Sequence, residues 1–128
     1  MENQEAPVAQ SPSGDKPKKP KKVGIIRCQQ TEDICPGTTD FQVAALGELA
    51  FKDMGPVEVV GFVSCGGCPG KRAVARAEEM VKRGAKVIAF ASCIFKGRPI
   101  GMPCPNAEAM RDAVKNNVPG VKILDWTH

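Results

Sequence analysis

Apolar residues along the chain gather in short, nearly continuous runs: VGIIR at 23–27, VEVVGFV at 57–63, VIAFAS at 87–92 and VKILDW at 121–126. Runs of this length, rich in Val and Ile and without strict alternation, predict strands covered on both faces, as in parallel sheets. Helical spacing fills the gaps between them. The segment TDFQVAALGELAFKDMGP, 39–56, predicts a helix opened by a capping box between Thr39 and Gln42 and stopped by Gly55 and Pro56. From Pro69 to Gly84, the residues Ala73, Val74, Ala77, Met80 and Val81 repeat at helical spacing, and Pro69 suits a first helical position. A third helix is expected from Asn106 as cap, through Met110, Ala113 and Val114, ending before Pro119 and Gly120.

The resulting order, βαβαβαβ, predicts an α/β fold: a three-layer, four-stranded parallel sheet with right-handed crossovers and helices on both faces. The expected strand order is 2-1-3-4, a flavodoxin- or Rossmann-like half with its switch point between the first and third strands. Residues 1–22, rich in Pro, Ser, Gln, Glu and Lys, hold almost nothing to bury and are expected to form a disordered Lys/Pro-rich tail. That leaves one folded domain, 23–128.

Charge changes this picture little. Of the net +4, the tail carries +2, from five Lys against Glu2, Glu5 and Asp15, and the remainder carries +2, from 13 basic and 11 acidic residues. A nucleic-acid binder would show a basic stripe with interleaved aromatics, whereas this chain has no Tyr, one Trp and five Phe; no nucleic-acid partner is expected. No run approaches the roughly 18 apolar residues of a membrane span, and the tail lacks the apolar stretch of a secretory signal, so a soluble cytoplasmic protein is expected.

The six cysteines change it more. In a reducing compartment, clustered thiols serve metal or redox chemistry more often than a disulfide framework. In open parallel sheets, ligands bind beyond the carboxyl ends of the strands. There Cys28 follows the first strand, Cys65 the second and Cys93 the third, while His128, the single histidine, follows the fourth. Cys35, Cys68 and Cys104 lie in loops leaving the same edge; Cys35 and Cys104, each followed by Pro, read equally as plain loop residues, and their roles stay open. Core filler would be scattered along helix faces and strand interiors instead.

The stretch VSCGGCPGKRAV, 63–74, sets a CxxC pair between a strand and a helix. Two glycines let the backbone turn sharply and aim N–H groups at sulfur, and a helix amino terminus would favour thiolate. Lys71 and Arg72 follow, expected in the first helical turn, where cations oppose the dipole unless something negative, such as thiolates or a charged cluster, sits nearby. Zinc would take four ligands from Cys28, Cys65, Cys68, Cys93 and His128. An iron–sulfur cluster would use the four cysteines equally well. A dithiol redox or sulfur-transfer enzyme, with Cys65 as nucleophile and Cys68 as resolving thiol, is the alternative, although the wholly parallel pattern departs from the mixed thioredoxin sheet. The nucleotide-binding loop and the cysteine-phosphatase loop both fail on spacing, and one histidine supports no Ser/His/Asp triad.

With VGIIRC, CPGTTDF, VGFVSCGGCPGKRAVARAEEMVKRGAKVIAFASC, GMPCP and KILDWTH on view, the chain from about Val23 to His128 resembles the CGGC domain family. These are small prokaryotic proteins, frequent in anaerobes, named for the motif that stands here at Cys65, Gly66, Gly67 and Cys68. The resemblance implies a metal-binding role, usually taken to be zinc. The remaining ligands rest on strand-end position alone. With one histidine, a multi-histidine site is not expected.

Overall fold

The computed structural model describes residues 20–31, 33–68, 70–97, 101 and 103–128. Strand β1, Lys22–Arg27, lies at the centre of a four-stranded sheet with β2, Glu58–Ser64, β3, Val87–Phe90, and β4, Lys122–Leu124. The order is β2-β1-β3-β4 and every pair is parallel. This is the expected α/β topology. The two inner strands are buried continuously, from Val23 to Ile26 and from Val87 to Phe90, while the apolar residues of the edge strands are half-buried. The reading of unbroken Val/Ile runs as doubly covered strands thus rests on real burial. The β1–β2 register slips by one residue between Val23 and Gly24, so that Gly24 pairs with Gly61.

Among the described residues, four helices connect and cover the sheet: α1, Thr38–Leu46, α2, Ala73–Lys82, α3, Ser92–Phe95, and α4, Ala107–Asn117. Because β2 and β3 lie on opposite sides of β1, the right-handed rule for parallel crossovers puts the β1–β2 and β2–β3 connections on opposite faces, a three-layer arrangement. Helix α2 sits close on β1 and β2 because two glycines leave room for Met80. A Cβ at Gly24 would lie 2.6 Å from Met80 Sδ, and one at Gly61 would lie 2.5 Å from the same atom. Among the described residues no helix is long and apolar enough to cross a membrane.

Helix boundaries depart from the sequence expectation in three places. The helix expected over 39–56 stops at Leu46, because Gly47 adopts φ 68° and packs on the Gly55 backbone, where a Cβ would meet the Gly55 carbonyl carbon at 2.3 Å. A short 3-10 turn, Leu49–Phe51, follows instead. The capping box does not form: α1 begins at Thr38 behind Gly37, φ 92°, without a side-chain cap. Helix α2 begins at Ala73 rather than Pro69, since Gly70 at φ 88° cannot be helical; Pro69 itself is outside the described residues. Lys71 and Arg72 therefore precede the helix, and both are exposed. Helix α3 occupies the end of the run read as strand over 87–92. The tail over residues 1–19 also lies outside the described residues.

Candidate functional site

Strand β2 delivers Cys65 to the carboxyl edge of the sheet, where its N–H donates to the Arg27 carbonyl at 2.8 Å, one residue past the strand. The chain then turns through Gly66 at φ 84° and Gly67 at φ 98°. Side chains disfavour that conformation by roughly 1–2 kcal/mol per residue, and space is short as well. A Cβ on Gly66 would stand 2.8 Å from Arg72 Cβ, and one on Gly67 would stand 2.7 Å from Gln29 Oε1. The glycines of the CGGC motif thus fold the loop tightly between the approach to α2 and the loop after β1. As a result Cys65 is buried and Cys68 is exposed.

One cleft at this edge is lined by Cys28, Cys65, Cys68 and Cys104, together with Gln29, Gln30 and Met110. The four thiols come from three separate loops. Cys104 is held by its N–H, which donates to the Ile94 carbonyl at 2.8 Å, and its Sγ accepts from the Asn106 N–H at 3.3 Å. With Pro beside it, the sequence assigned Cys104 no ligand, yet the loop entering α4, expected at this edge, brings it into the cleft. Cys93, buried in the first turn of α3, does not line the cleft; its Sγ accepts the Cys28 N–H at 3.2 Å from below. Cys35 is half-buried and lends its carbonyl to Arg27.

His128 stands elsewhere. Its Nε2 is 3.6 Å from Oδ1 of Asp40, a buried carboxylate of α1 that also accepts the Thr127 hydroxyl. Ser92 Oγ donates to the His128 carbonyl at 2.7 Å and accepts the His128 N–H at 3.0 Å. This knot fixes residues 127 and 128 against α1 and α3, and His128 does not line the cleft. Lys71 and Arg72 are exposed beside the CGGC loop. Arg76 of α2 reaches closer to the strand end, donating through Nη1 to Ser64 O and Oγ, each at 3.1 Å.

All six cysteines are free thiols. Burial pushes the Cys28 pKa above its ordinary value; the Gln30 N–H draws it back, and negative charge on Cys65, Cys104 or Cys68 raises it again. Cys93 is raised chiefly by burial, against the Cys28 N–H and the Thr31 side chain, with Cys28 and Asp40 adding to the rise. Burial therefore favours the protonated form of Cys28 and Cys93, and a cation bound through Cys28 would have to displace its proton. Among the described residues, no three Cys, His, Asp or Glu side chains already stand at metal-ligating separation. The donor set fits a thiophilic metal, but ligation requires the loops to draw together.

Fold and cleft together define a small parallel α/β domain with a thiol-lined mouth. The chain belongs to the CGGC domain family, whose model matches residues 22–128. It is 38% identical over 80 residues to the uncharacterized protein MJ0582 of Methanocaldococcus jannaschii, an alignment covering 58% of this chain and 62% of that protein. It is 31% identical over 70 residues to the uncharacterized protein MJ0766 of the same organism, covering 54% of this chain and 98% of that protein. The chain thus spans less than two thirds of the first of these relatives. No solved structure matches.

Proposed function

We propose that the cleft binds a thiophilic metal through Cys28, Cys65, Cys68 and Cys104, a donor set that serves zinc or an iron–sulfur cluster. The observation that supports this is convergence: four thiols from three loops line one mouth, where packing alone would need none of them. Soft sulfur donors suit zinc and iron–sulfur centres. Four thiolates around a divalent ion leave a net charge of −2, which Lys71, Arg72 and Arg76 at the rim would offset. Cys93 then acts from beneath, fixing the Cys28 backbone, and His128 holds the chain end rather than the metal. Purification without oxygen, followed by metal and acid-labile sulfide analysis and a visible spectrum, tests the reading. Stoichiometric metal is expected, with colour if a cluster is present; colourless protein without stoichiometric metal refutes it.

One observation favours a second reading, a thiol redox or sulfur-transfer enzyme. Cys68 is exposed, Cys65 is buried, and both are free thiols. In such a cycle the accessible Cys68 would attack and Cys65 would resolve, opposite to the order drawn from sequence. Thiol trapping that finds both residues permanently protected by metal excludes this cycle.

A further inference from the structure

We infer that the cleft prefers a soft monovalent d10 cation of the Cu(I) class, because the thioether of Met110 joins its thiols. This rests on reading the cleft as a metal site and concerns which cation it selects. Among the described residues, the side chains lining it offer sulfur and two amides, with no imidazole and no carboxylate. Thioether sulfur is a poor ligand for zinc and a good one for Cu(I), so a methionine among cysteines shifts the preference toward the softer ion.

Met110 packs directly against the CGGC loop. It projects from α4, is 3% exposed, and lines the same cleft as the four thiols. The CGGC loop passes directly against its tip: a Cβ on Gly70 would stand 2.9 Å from Met110 Cε and 3.1 Å from Sδ. Gly70 at φ 88° thereby lets the loop backbone touch the thioether without an intervening side chain. Charge argues the same way. Zinc with four thiolates buries −2, whereas Cu(I) with two thiolates and a thioether carries −1, and burying less charge costs less. Two or three donors also suffice for Cu(I), which matches a cleft where no tetrahedral set is preassembled among the described residues.

The test uses the full chain, reduced and without oxygen, with Cu(I) titrated against a chromophoric Cu(I) chelator and Zn(II) against a chromophoric zinc chelator. Wild type, Met110→Leu and the double change Cys65→Ser/Cys68→Ser are compared. Met110→Leu keeps volume and apolarity, so the fold should survive. It is expected to weaken Cu(I) by on the order of tenfold or more, the scale on which even supporting groups of metal sites act, and to leave Zn(II) unchanged. The double cysteine change should lose both metals. Equal loss of both in Met110→Leu, or loss of neither, overturns the inference and leaves the thiol site standing; wild type that binds neither metal overturns both. Should Met110→Leu unfold, selenomethionine-labelled wild type decides: copper X-ray absorption must show a copper–selenium path, and its absence refutes the inference.

Discussion

Replacing Gly66 by Ala should destabilise the domain more than the same change at Gly120, and the difference measures how tightly the CGGC loop is folded. Both glycines have nearly the same positive φ, 84° and 85°, so both substitutions carry the left-handed penalty of roughly 1–2 kcal/mol. At Gly120 that is the whole cost, because nothing lies within 4 Å of the new Cβ. At Gly66 the new Cβ would stand 2.8 Å from Arg72 Cβ. That atom is tied to the backbone and cannot swing away, so overpacking adds about 1–3 kcal/mol. Gly66→Ala is thus expected to cost roughly 2–5 kcal/mol against roughly 1–2 kcal/mol for Gly120→Ala. In thermal unfolding, each 1 kcal/mol appears as a shift of about 4–8 °C for a domain of this size. Urea unfolding of the reduced apoprotein gives the same comparison with m as a check on two-state behaviour. Equal effects would refute the packing argument, and a neutral Gly66→Ala would refute the loop conformation itself.

Gly61→Ala, whose Cβ would stand 2.5 Å from Met80 Sδ and 2.7 Å from Cγ, should cost about 1–3 kcal/mol, with Gly61→Ala/Met80→Ala less than additive in denaturant titrations. Alkylation followed by mass spectrometry should modify exposed Cys68 first and buried Cys93 and Cys28 last. Because the folded-state pKa values of Cys28 and Cys93 are raised, the unfolded chain releases those protons first. Apoprotein stability should therefore be fully present below the ordinary thiol pKa near 9.0 and fall as pH rises from there through the folded values; stability that rises over that window contradicts the assignment. Asp40→Ala leaves the buried Thr127 hydroxyl without its acceptor and should cost about 1–3 kcal/mol in urea unfolding.

The sheet was legible in the sequence because a parallel strand buried on both faces writes itself as a continuous Val/Ile run, and both inner strands, Val23–Ile26 and Val87–Phe90, are buried throughout. Helix ends were not, because a glycine inside a helical pattern has two meanings. Gly47 and Gly70 look tolerable by spacing, but their positive φ values of 68° and 88° go with close approaches to Gly55 and Met110, which helical periodicity does not register. Helix α3 was hidden for a similar reason: Ser92 and Cys93 extend an apolar run that periodicity cannot divide. The cleft was partly legible. Strand ends pointed to Cys28 and Cys65, and the motif added Cys68. Cys104 was legible as a residue of the same edge but not as part of the cleft, because the Pro105 beside it marks a loop without saying that the loop entering α4 folds back over the CGGC motif. His128 sits away from the cleft because residues 125–127 carry the chain past the end of β4 to Asp40.

The position of Gly70 also changes what can stabilise a thiolate in the CGGC loop. A helix dipole acts over about one turn, and α2 begins at Ala73, five residues after Cys68. Neither motif cysteine lies in that first turn, so the dipole that spacing suggested does not reach the motif. Burial, in contrast, raises the pKa values of Cys28 and Cys93, so a cation bound through Cys28 would have to displace its proton. A cation that draws Cys28, Cys65, Cys68 and Cys104 together must then also order the three loops that carry them. Its binding energy becomes folding energy, about 4 kcal/mol at a free concentration a thousand times Kd. A metal that raises the unfolding midpoint of the wild type should therefore lose that effect in Cys65→Ser/Cys68→Ser, while the metal-free stabilities stay close. If the metal stabilises both proteins equally, it binds outside the cleft and the convergence of the thiols needs another cause.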